Sequence, residues 1–154
     1  MKKILPLLTL FIAFNIGYGQ TVIYDIDASS FSPSDGIDQL CFSGSASSMS
    51  YLGSPFGLTW TSTGTVAPTS VSLEIYEVYN DAGSPIPVNF NSNSDGNFGP
   101  TSVFCTETVV TIPLSTGFYV SGGANNVILD YASTFGVLEI DENPAWGTGI
   151  FARV

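Results

Sequence analysis

The sequence predicts an all-β fold: a two-sheet antiparallel β-sandwich, of jelly-roll or Greek-key type, in a single domain over residues 20–154. Apolar and polar residues alternate in short stretches that are rich in β-branched and aromatic side chains. Gly, Pro, Asn and Ser separate these stretches, and no segment is suited to be the crossover helix that parallel strands require. With 154 residues, 44% of them hydrophobic and 10% charged, the chain can form one packed domain and is too apolar for intrinsic disorder.

Residues 1–19 are predicted to be a secretory signal peptide that is cleaved. Two lysines precede an apolar stretch at 4–16, and Gly17-Tyr18-Gly19 forms a small-x-small cleavage site. A membrane-spanning helix, the alternative, needs about 20 apolar residues, and this stretch is shorter and contains Pro6. We therefore expect a protein that is secreted, at the cell surface or periplasmic, with no membrane insertion after cleavage.

Predicted strands follow the alternation along the remaining chain. The clearest one has Val71, Leu73 and Ile75 on one face and polar residues or Tyr76 on the other. All predicted strands lie at 22–27, 39–42, 58–61, 71–76, 88–90, 103–105, 108–112, 126–131, 136–140 and 149–154. The inward positions of these strands predict a core of Ile23, Leu40, Leu58, Trp60, Val71, Leu73, Ile75, Val109, Ile128, Leu138, Ile140 and Phe151.

Turn-forming residues predict where the strands are connected. Turns are expected at 33–36, 81–85, 94–97 and 121–123, where Gly, Pro, Asp, Asn or Ser occur together. The Ser-rich segment 43–50 is of low complexity and is predicted to be a flexible loop.

Two cysteines, Cys41 and Cys105, are predicted to form a disulfide, since an exported chain with two cysteines is most simply explained by one bridge. In the chain-entropy model this bridge stabilises the fold by about 4 kcal/mol. Two separately buried thiols are the alternative.

Charge and composition exclude several classes of function. The chain has no histidine, and removal of the leader leaves Arg153 as the sole base against 13 acidic residues. Histidine-dependent nucleophilic sites and lysine Schiff bases are thereby excluded, and zinc or copper would lack nitrogen ligands. So acidic a chain is also not expected to bind nucleic acid or anionic membranes. We expect no enzymatic activity, because no activated nucleophile or base can be named.

Calcium is the one cofactor that the sequence suggests, because this ion prefers oxygen ligands and the chain is rich in acids. The candidate ligands form two groups, Asp25 with Asp27 and Asp141 with Glu142; Asp35 and Asp38 follow the first group, and Glu139 and Asn143 flank the second. A solvated acidic surface is the alternative and the more common use of such residues. Residues 91–96 resemble the first half of a twelve-residue calcium loop. Position twelve of that loop is Ser102 and not the glutamate that binds calcium, so a hairpin turn is favoured here.

Aromatic residues suggest a binding surface, because an exposed flat ring can stack on the apolar face of a sugar. The candidates are Tyr24, Tyr76, Tyr79 and Trp146, with Tyr131 as a further one. The alternative is that these rings cover the edges of the core and leave their polar atoms wet.

The last third of the chain resembles secreted bacterial β-sandwich modules similar to carbohydrate-binding jelly rolls. The resemblance lies in Asn126-Val127-Ile128-Leu129, Phe135 to Ile140, Asn143-Pro144-Ala145-Trp146-Gly147 and the closing Ile150-Phe151-Ala152-Arg153-Val154. It implies a binding role beside other domains and a calcium ion that is usually structural. It supplies no ligand-binding residue that can be transferred to this chain.

The sequence thus favours a non-catalytic exported module that binds a glycan or another extracellular polymer. The main alternative is a structural or adhesin-like protein that associates with copies of itself. Such association would use the edges of its sheets, since the processed chain has no lysine to block them.

Overall fold

The computed structural model describes residues 21–32, 41, 49–52, 55–99, 101–134 and 136–154. Within these residues the chain forms eleven strands, three short 3₁₀ turns and no α-helix, as the predicted all-β class requires. The strands are β1 (Asp25–Asp27), β2 (Phe31–Ser32), β3 (Met49–Leu52), β4 (Pro55–Thr61), β5 (Val71–Asn80), β6 (Ile86–Phe90), β7 (Asn93–Phe98), β8 (Val103–Leu114), β9 (Ala124–Asp130), β10 (Val137–Ile140) and β11 (Ile150–Arg153). The predicted signal peptide lies outside the described residues.

Two antiparallel sheets form the layers of a β-sandwich. The six-stranded sheet has the order β1-β11-β5-β10-β3, with β8 on the other side of β5, and the five-stranded sheet has the order β2-β4-β9-β6-β7. Strand β5 is at the centre of the six-stranded sheet, and its length allows it to pair with three other strands. It pairs with β8 on one side, and on the other side with β11 near Glu74 and then with β10 near Tyr79.

The core lies between the two sheets, and buried and less buried residues alternate along β4, β6, β9 and most of β5. Phe56, Leu58 and Trp60 face inward from β4, and Leu73 and Ile75 face them from β5. Seven predicted core residues are confirmed as buried: Leu58, Trp60, Leu73, Ile75, Leu138, Ile140 and Phe151. Val71 is half-buried against this core, and Leu40 lies outside the described residues.

Three core predictions are wrong. Val109 is 44% exposed and Ile23 is 57% exposed, while Ile128 is only half-buried. In β8 and β9 two or three apolar residues stand in a row, so the sequence does not fix which of them points inward. The pairing with the neighbouring strand decides which residue points inward, because residues directly opposite each other on paired strands lie on the same face of the sheet. Val110 and Ile112 oppose Ile75 and Leu73, so Val109 faces solvent.

The strand predictions also need correction at several places. Strands β2, β3 and β7 were not predicted, and the Ser-rich loop prediction is wrong for Met49 and Ser50, which belong to β3. The turn predicted at 94–97 is wrong, since those residues lie in β7. The turn between β6 and β7 is formed by Asn91 and Ser92, which have positive φ angles of 49° and 65°.

The predicted strands at 103–105 and 108–112 form one strand, β8, with an irregularity in its pairing between them. The turn predicted at 33–36 and most of the strand predicted at 39–42 lie outside the described residues.

Candidate functional site

The outward face of the six-stranded sheet carries the polar and aromatic residues of β5 and its neighbours. Because Leu73 and Ile75 point into the core, Glu74 and Tyr76 point away from it. The pairing register then places Arg153 of β11 opposite Glu74, and Asp25 of β1 opposite Arg153. Residues that are distant in the sequence thus form one row across the sheet.

Arg153 anchors this row. Its Nε lies 2.7 Å from Oδ1 of Asp25, with the two side chains 23% and 43% exposed. Its Nη2 donates a hydrogen bond of 3.1 Å to the carbonyl oxygen of Trp146. The guanidinium carbon stands 5.1 Å from the centre of the Trp146 ring, a cation–π contact that contributes about 0.5–1 kcal/mol at an exposed site. Arg153 therefore fixes Trp146 on the sheet.

Trp146 lies in the connection between β10 and β11, which is ordered by its own hydrogen bonds. Asn143, 6% exposed, accepts a bond from the Ala145 amide at its side chain and from the Trp146 amide at its carbonyl, both 2.9 Å long. Glu142 Oε2 accepts a bond of 2.7 Å from the amide of Gly149, whose φ of 78° suits glycine. The loop thus presents Trp146 in a defined position.

Tyr76 is the partner of Trp146. Their ring centres are 6.2 Å apart and the rings are tilted by 58°, within the range of favourable aromatic contacts. The Tyr76 hydroxyl donates a hydrogen bond of 2.8 Å to Oε2 of Glu107. Burial, followed by this bond and the charge of Glu107, raises the pKa of Tyr76 to about 12, so the phenol remains a neutral donor.

A second aromatic pair continues along the same face. The rings of Tyr79 and Phe104 meet edge to face with centres 5.4 Å apart, and Phe104 is 58% exposed. Val109 stands opposite Tyr76 in the register of β5 and β8. We call these five residues, Trp146, Tyr76, Val109, Tyr79 and Phe104, the aromatic strip.

A groove lies beside the strip, on the side of the chain's first described residues. It is lined by residues 21–24 and 63–72 together with Glu74, Tyr119, Arg153 and Val154. The Tyr24 hydroxyl accepts a hydrogen bond of 3.0 Å from the Thr63 amide. Hydrogen bonding to Thr63, mainly through its side chain, lowers the pKa of Tyr24 to about 8. The groove shares Arg153 and Glu74 with the row described above.

The four aromatic residues that are predicted to bind a ligand thus lie in two places. Tyr76, Tyr79 and Trp146 lie on the strip, and Tyr24 lies in the groove; whether they bind a ligand stays a prediction. The further candidate Tyr131 is fully buried, and its hydroxyl accepts a hydrogen bond of 3.0 Å from Asn80 in the core. Its exposure was therefore wrongly predicted: β9 ends at Asp130, and Tyr131 begins a 3₁₀ turn that points its ring inward.

The predicted calcium ligands make contacts within the protein. Asp25 pairs with Arg153, and Asp27 accepts hydrogen bonds from the Ser29 amide and hydroxyl, of which the hydroxyl bond contributes most to lowering the pKa of Asp27. Asp141 accepts a bond of 2.7 Å from the Glu142 amide. Among the described residues no three His, Cys, Asp or Glu side chains are grouped around a possible metal position. Asp35 and Asp38 lie outside the described residues, and calcium binding stays a prediction.

A buried polar network around Glu77 was not predicted. Glu77 is fully buried and accepts hydrogen bonds from Asn80 Nδ2 at 3.2 Å and from Thr101 Oγ1 at 2.9 Å. The same Asn80 amide group lies 2.7 Å from Thr101 Oγ1 and 3.0 Å from the Tyr131 hydroxyl. The sequence did contain a signal, because Glu77 continues the inward series of Val71, Leu73 and Ile75.

The predicted disulfide between Cys41 and Cys105 is confirmed, with Cα atoms 4.9 Å apart. It attaches Cys41, which lies outside the strands, to an exposed position of β8.

Comparison with known proteins gives a likeness of architecture. No protein family model and no curated protein matches this chain. Among solved structures, the chain is similar to a family 35 carbohydrate binding module from an environmental isolate, at a TM-score of 0.48 and 10% sequence identity, over 87% of this chain and 91% of that one. Within the described residues no helix is long and apolar enough to cross a membrane.

Proposed function

We propose that this protein is a non-catalytic extracellular module that binds a neutral glycan along the aromatic strip. The observation that supports this most directly is the Tyr76 and Trp146 pair, whose ring centres lie 6.2 Å apart with the rings tilted by 58°, on the outward side of the six-stranded sheet. A pyranose ring has apolar faces edged by hydroxyl groups, so it needs apolar ring faces with polar groups beside them. The Glu107 carboxylate and Glu74 supply such groups next to the rings.

Charge favours a neutral polymer over an acidic one. The chain carries a formal net charge of −10, which repels polyanions over the range of the Debye length. Arg153, the one cation that the described residues contain, is already paired with Asp25. A uronate or sulfate group would have to compete with that carboxylate.

Export is part of the same proposal. The disulfide is typical of proteins that fold in an oxidising compartment, and the first nineteen residues have the pattern of a cleaved signal peptide. Mass spectrometry of the protein recovered from the medium or periplasm of its host would test it, with an N-terminus at Gln20 as the expected result.

Retention on insoluble neutral polysaccharides, with acidic polysaccharides as the comparison, tests glycan binding. We expect Trp146→Ala and Tyr76→Ala each to weaken binding by about tenfold, whereas Tyr76→Phe keeps the ring and should retain most of it. Val120→Ala is a control, since this residue is 45% exposed and outside the strip. Circular dichroism verifies that each variant is folded.

Tryptophan fluorescence offers a second readout. Trp60 is 7% exposed and stacks on Phe90 in the core, so a soluble oligosaccharide should change the emission of Trp146 alone. That change should disappear in Trp146→Phe and persist in Trp60→Phe. Failure of the wild-type protein to bind any neutral polymer, or unchanged binding by folded Trp146→Ala, would refute the proposal.

A further inference from the structure

Strand β8 is the longest strand of the structure and lies at the edge of its sheet. It spans Val103–Leu114, 12 residues, and among the described elements it pairs with β5 alone. Its residues 104–109, 111 and 113 are exposed. A long strand with an open edge presents unpaired peptide groups to any chain that can extend the sheet.

The open peptide groups can be located from Pro113. Proline has no N–H and occurs in sheets where its nitrogen faces away from the neighbouring strand, so Pro113, opposite Ser72, directs its peptide groups outward. Peptide direction alternates along an antiparallel strand. Val109 and Thr111 have the same phase as Pro113 and therefore also direct their N–H and C=O groups to the open edge.

The ends of this edge are blocked, and none of the described strands covers its middle. Pro113 closes one end, and the irregularity near Cys105, with its φ of 49° and its disulfide, closes the other. Between them the run Thr108-Val109-Val110-Thr111-Ile112 is β-branched at every position, the composition that favours strand pairing. Glu107 is the single charged residue of β8.

The other sheet edges in the described part of the chain are less suited to pairing. β1, β2 and β3 have 3, 2 and 4 residues, and very short edge strands resist association. β7 has 6 residues but contains Asp95 and Gly96, both unfavourable in strands.

We infer that β8 pairs antiparallel with β8 of a second copy of this chain, joining two six-stranded sheets into one. A two-fold axis at Val110 places Val109 opposite Thr111 of the second copy, so the outward peptide groups of both strands meet in hydrogen-bonded pairs. The same register places Glu107 opposite Pro113 of the second copy. The two Glu107 carboxylates then lie about 20 Å apart along the strands.

The single free edge of β8 limits this assembly to a pair. The other edge of β8 is paired with β5, so a second β8 strand can be added on one side alone. An antiparallel pair uses the β8 edges of both copies, so assembly through this edge ends at a dimer.

The dimer would place two aromatic strips on one continuous face. The β5 strands of the two copies would be three strand spacings apart, about 14 Å. A single polymer could then contact both strips, a gain that depends on the proposed glycan binding. Dimer formation itself does not depend on it.

Light scattering after size-exclusion chromatography, without polysaccharide and over a range of protein concentrations, tests the inference. We expect the wild-type protein to have twice the chain mass. Thr111→Asp should halve that mass, because the new carboxylate faces Glu107 of the second copy diagonally. Thr59→Asp is the matched control: it makes the same change at an exposed position of β4 on the other sheet and should remain dimeric.

A second variant acts through the backbone instead of charge. Thr111→Pro removes an N–H that points away from β5, so the protein should fold, verified by circular dichroism, and be monomeric. Amide hydrogen exchange at Val109 and Thr111 should slow as wild-type concentration rises. A wild-type monomer at every concentration, open-ended assemblies, or a dimer that survives both Thr111 variants would overturn the inference. Because no glycan is present, these results are separate from those on binding.

Discussion

Glu77 places a carboxyl group inside the sandwich, and no basic side chain of the described residues pairs with it. Its oxygens are bonded to Asn80 and Thr101, and neither group is charged. Burial raises the pKa of Glu77 to about 7, more than the two hydrogen bonds lower it. The folded protein therefore holds this proton over a pH range in which the unfolded chain releases it.

Glu77→Gln should change the pH dependence of stability. A raised carboxyl pKa makes the wild-type free energy of unfolding fall as pH rises from about 4.5 to about 7, and it stays lowered above that range. At about 1.4 kcal/mol for each pKa unit, the loss is about 3 kcal/mol. Glutamine has one acceptor oxygen and an N–H donor in place of the carboxyl O–H, so it can replace the protonated carboxyl group without ionising, and urea unfolding of Glu77→Gln should lack this fall.

Glu74→Gln is the control, because it removes one negative charge from the outward side of the same strand. After correction by this control, the curves of wild type and Glu77→Gln should diverge between pH 4.5 and 7. Parallel curves would show that Glu77 is ionised in the folded protein at no cost.

The residues of the site differ in how far the sequence could predict them. Tyr76 was found because alternation in β5 is local and places it opposite the core side of the strand. The role of Arg153 was not found, since its contacts with Asp25 and Trp146 depend on β11 lying between β1 and β5. Such neighbours are set by the order of strands in the sheet, which no local pattern contains.

Elements were predictable where one face alone is apolar. In β4, and in β5 as far as Glu77, a strict alternation identified strand and inward face together. In β8 and β9 consecutive apolar residues do not show which of them point into the core, and the pairing with β5 and β4 determines this. β7 was missed because its sequence NSDGNF consists mostly of turn-forming residues, and its pairing with β6 overrides that preference.

The disulfide is the covalent link of β8 to a distant part of the chain. It joins residues 64 apart in sequence, for which the chain-entropy model gives about 4 kcal/mol of stabilisation. The double variant Cys41→Ser/Cys105→Ser should lose up to this amount in urea unfolding. Wild-type protein under reductant should match the double variant, and equal stability of its oxidised and reduced forms would contradict the expectation.

The net charge of the chain opposes its compactness. Thirteen acidic residues face three basic ones, two of them at the extreme N-terminus, and the described residues contain one ion pair, Asp25 with Arg153. Repulsion among the acids is long-ranged at low salt, where the Debye length is about 30 Å at 0.01 M, and falls to about 8 Å at 0.15 M. Added salt weakens one exposed attraction and many repulsions.

We therefore expect the thermal unfolding midpoint to rise with NaCl concentration over this range, as measured by circular dichroism. A fall in the midpoint would mean that attractive charge pairs outweigh the repulsive ones.

CaCl₂ at the same ionic strength, with and without EDTA, separates screening from a bound ion, because screening by itself depends mainly on ionic strength. A further rise with calcium that EDTA reverses would confirm the calcium site predicted from the acidic groups. It could then be assigned by repeating the titration on Asp27→Asn and Glu142→Gln, since ligand removal abolishes the calcium-specific rise and leaves the NaCl response in place.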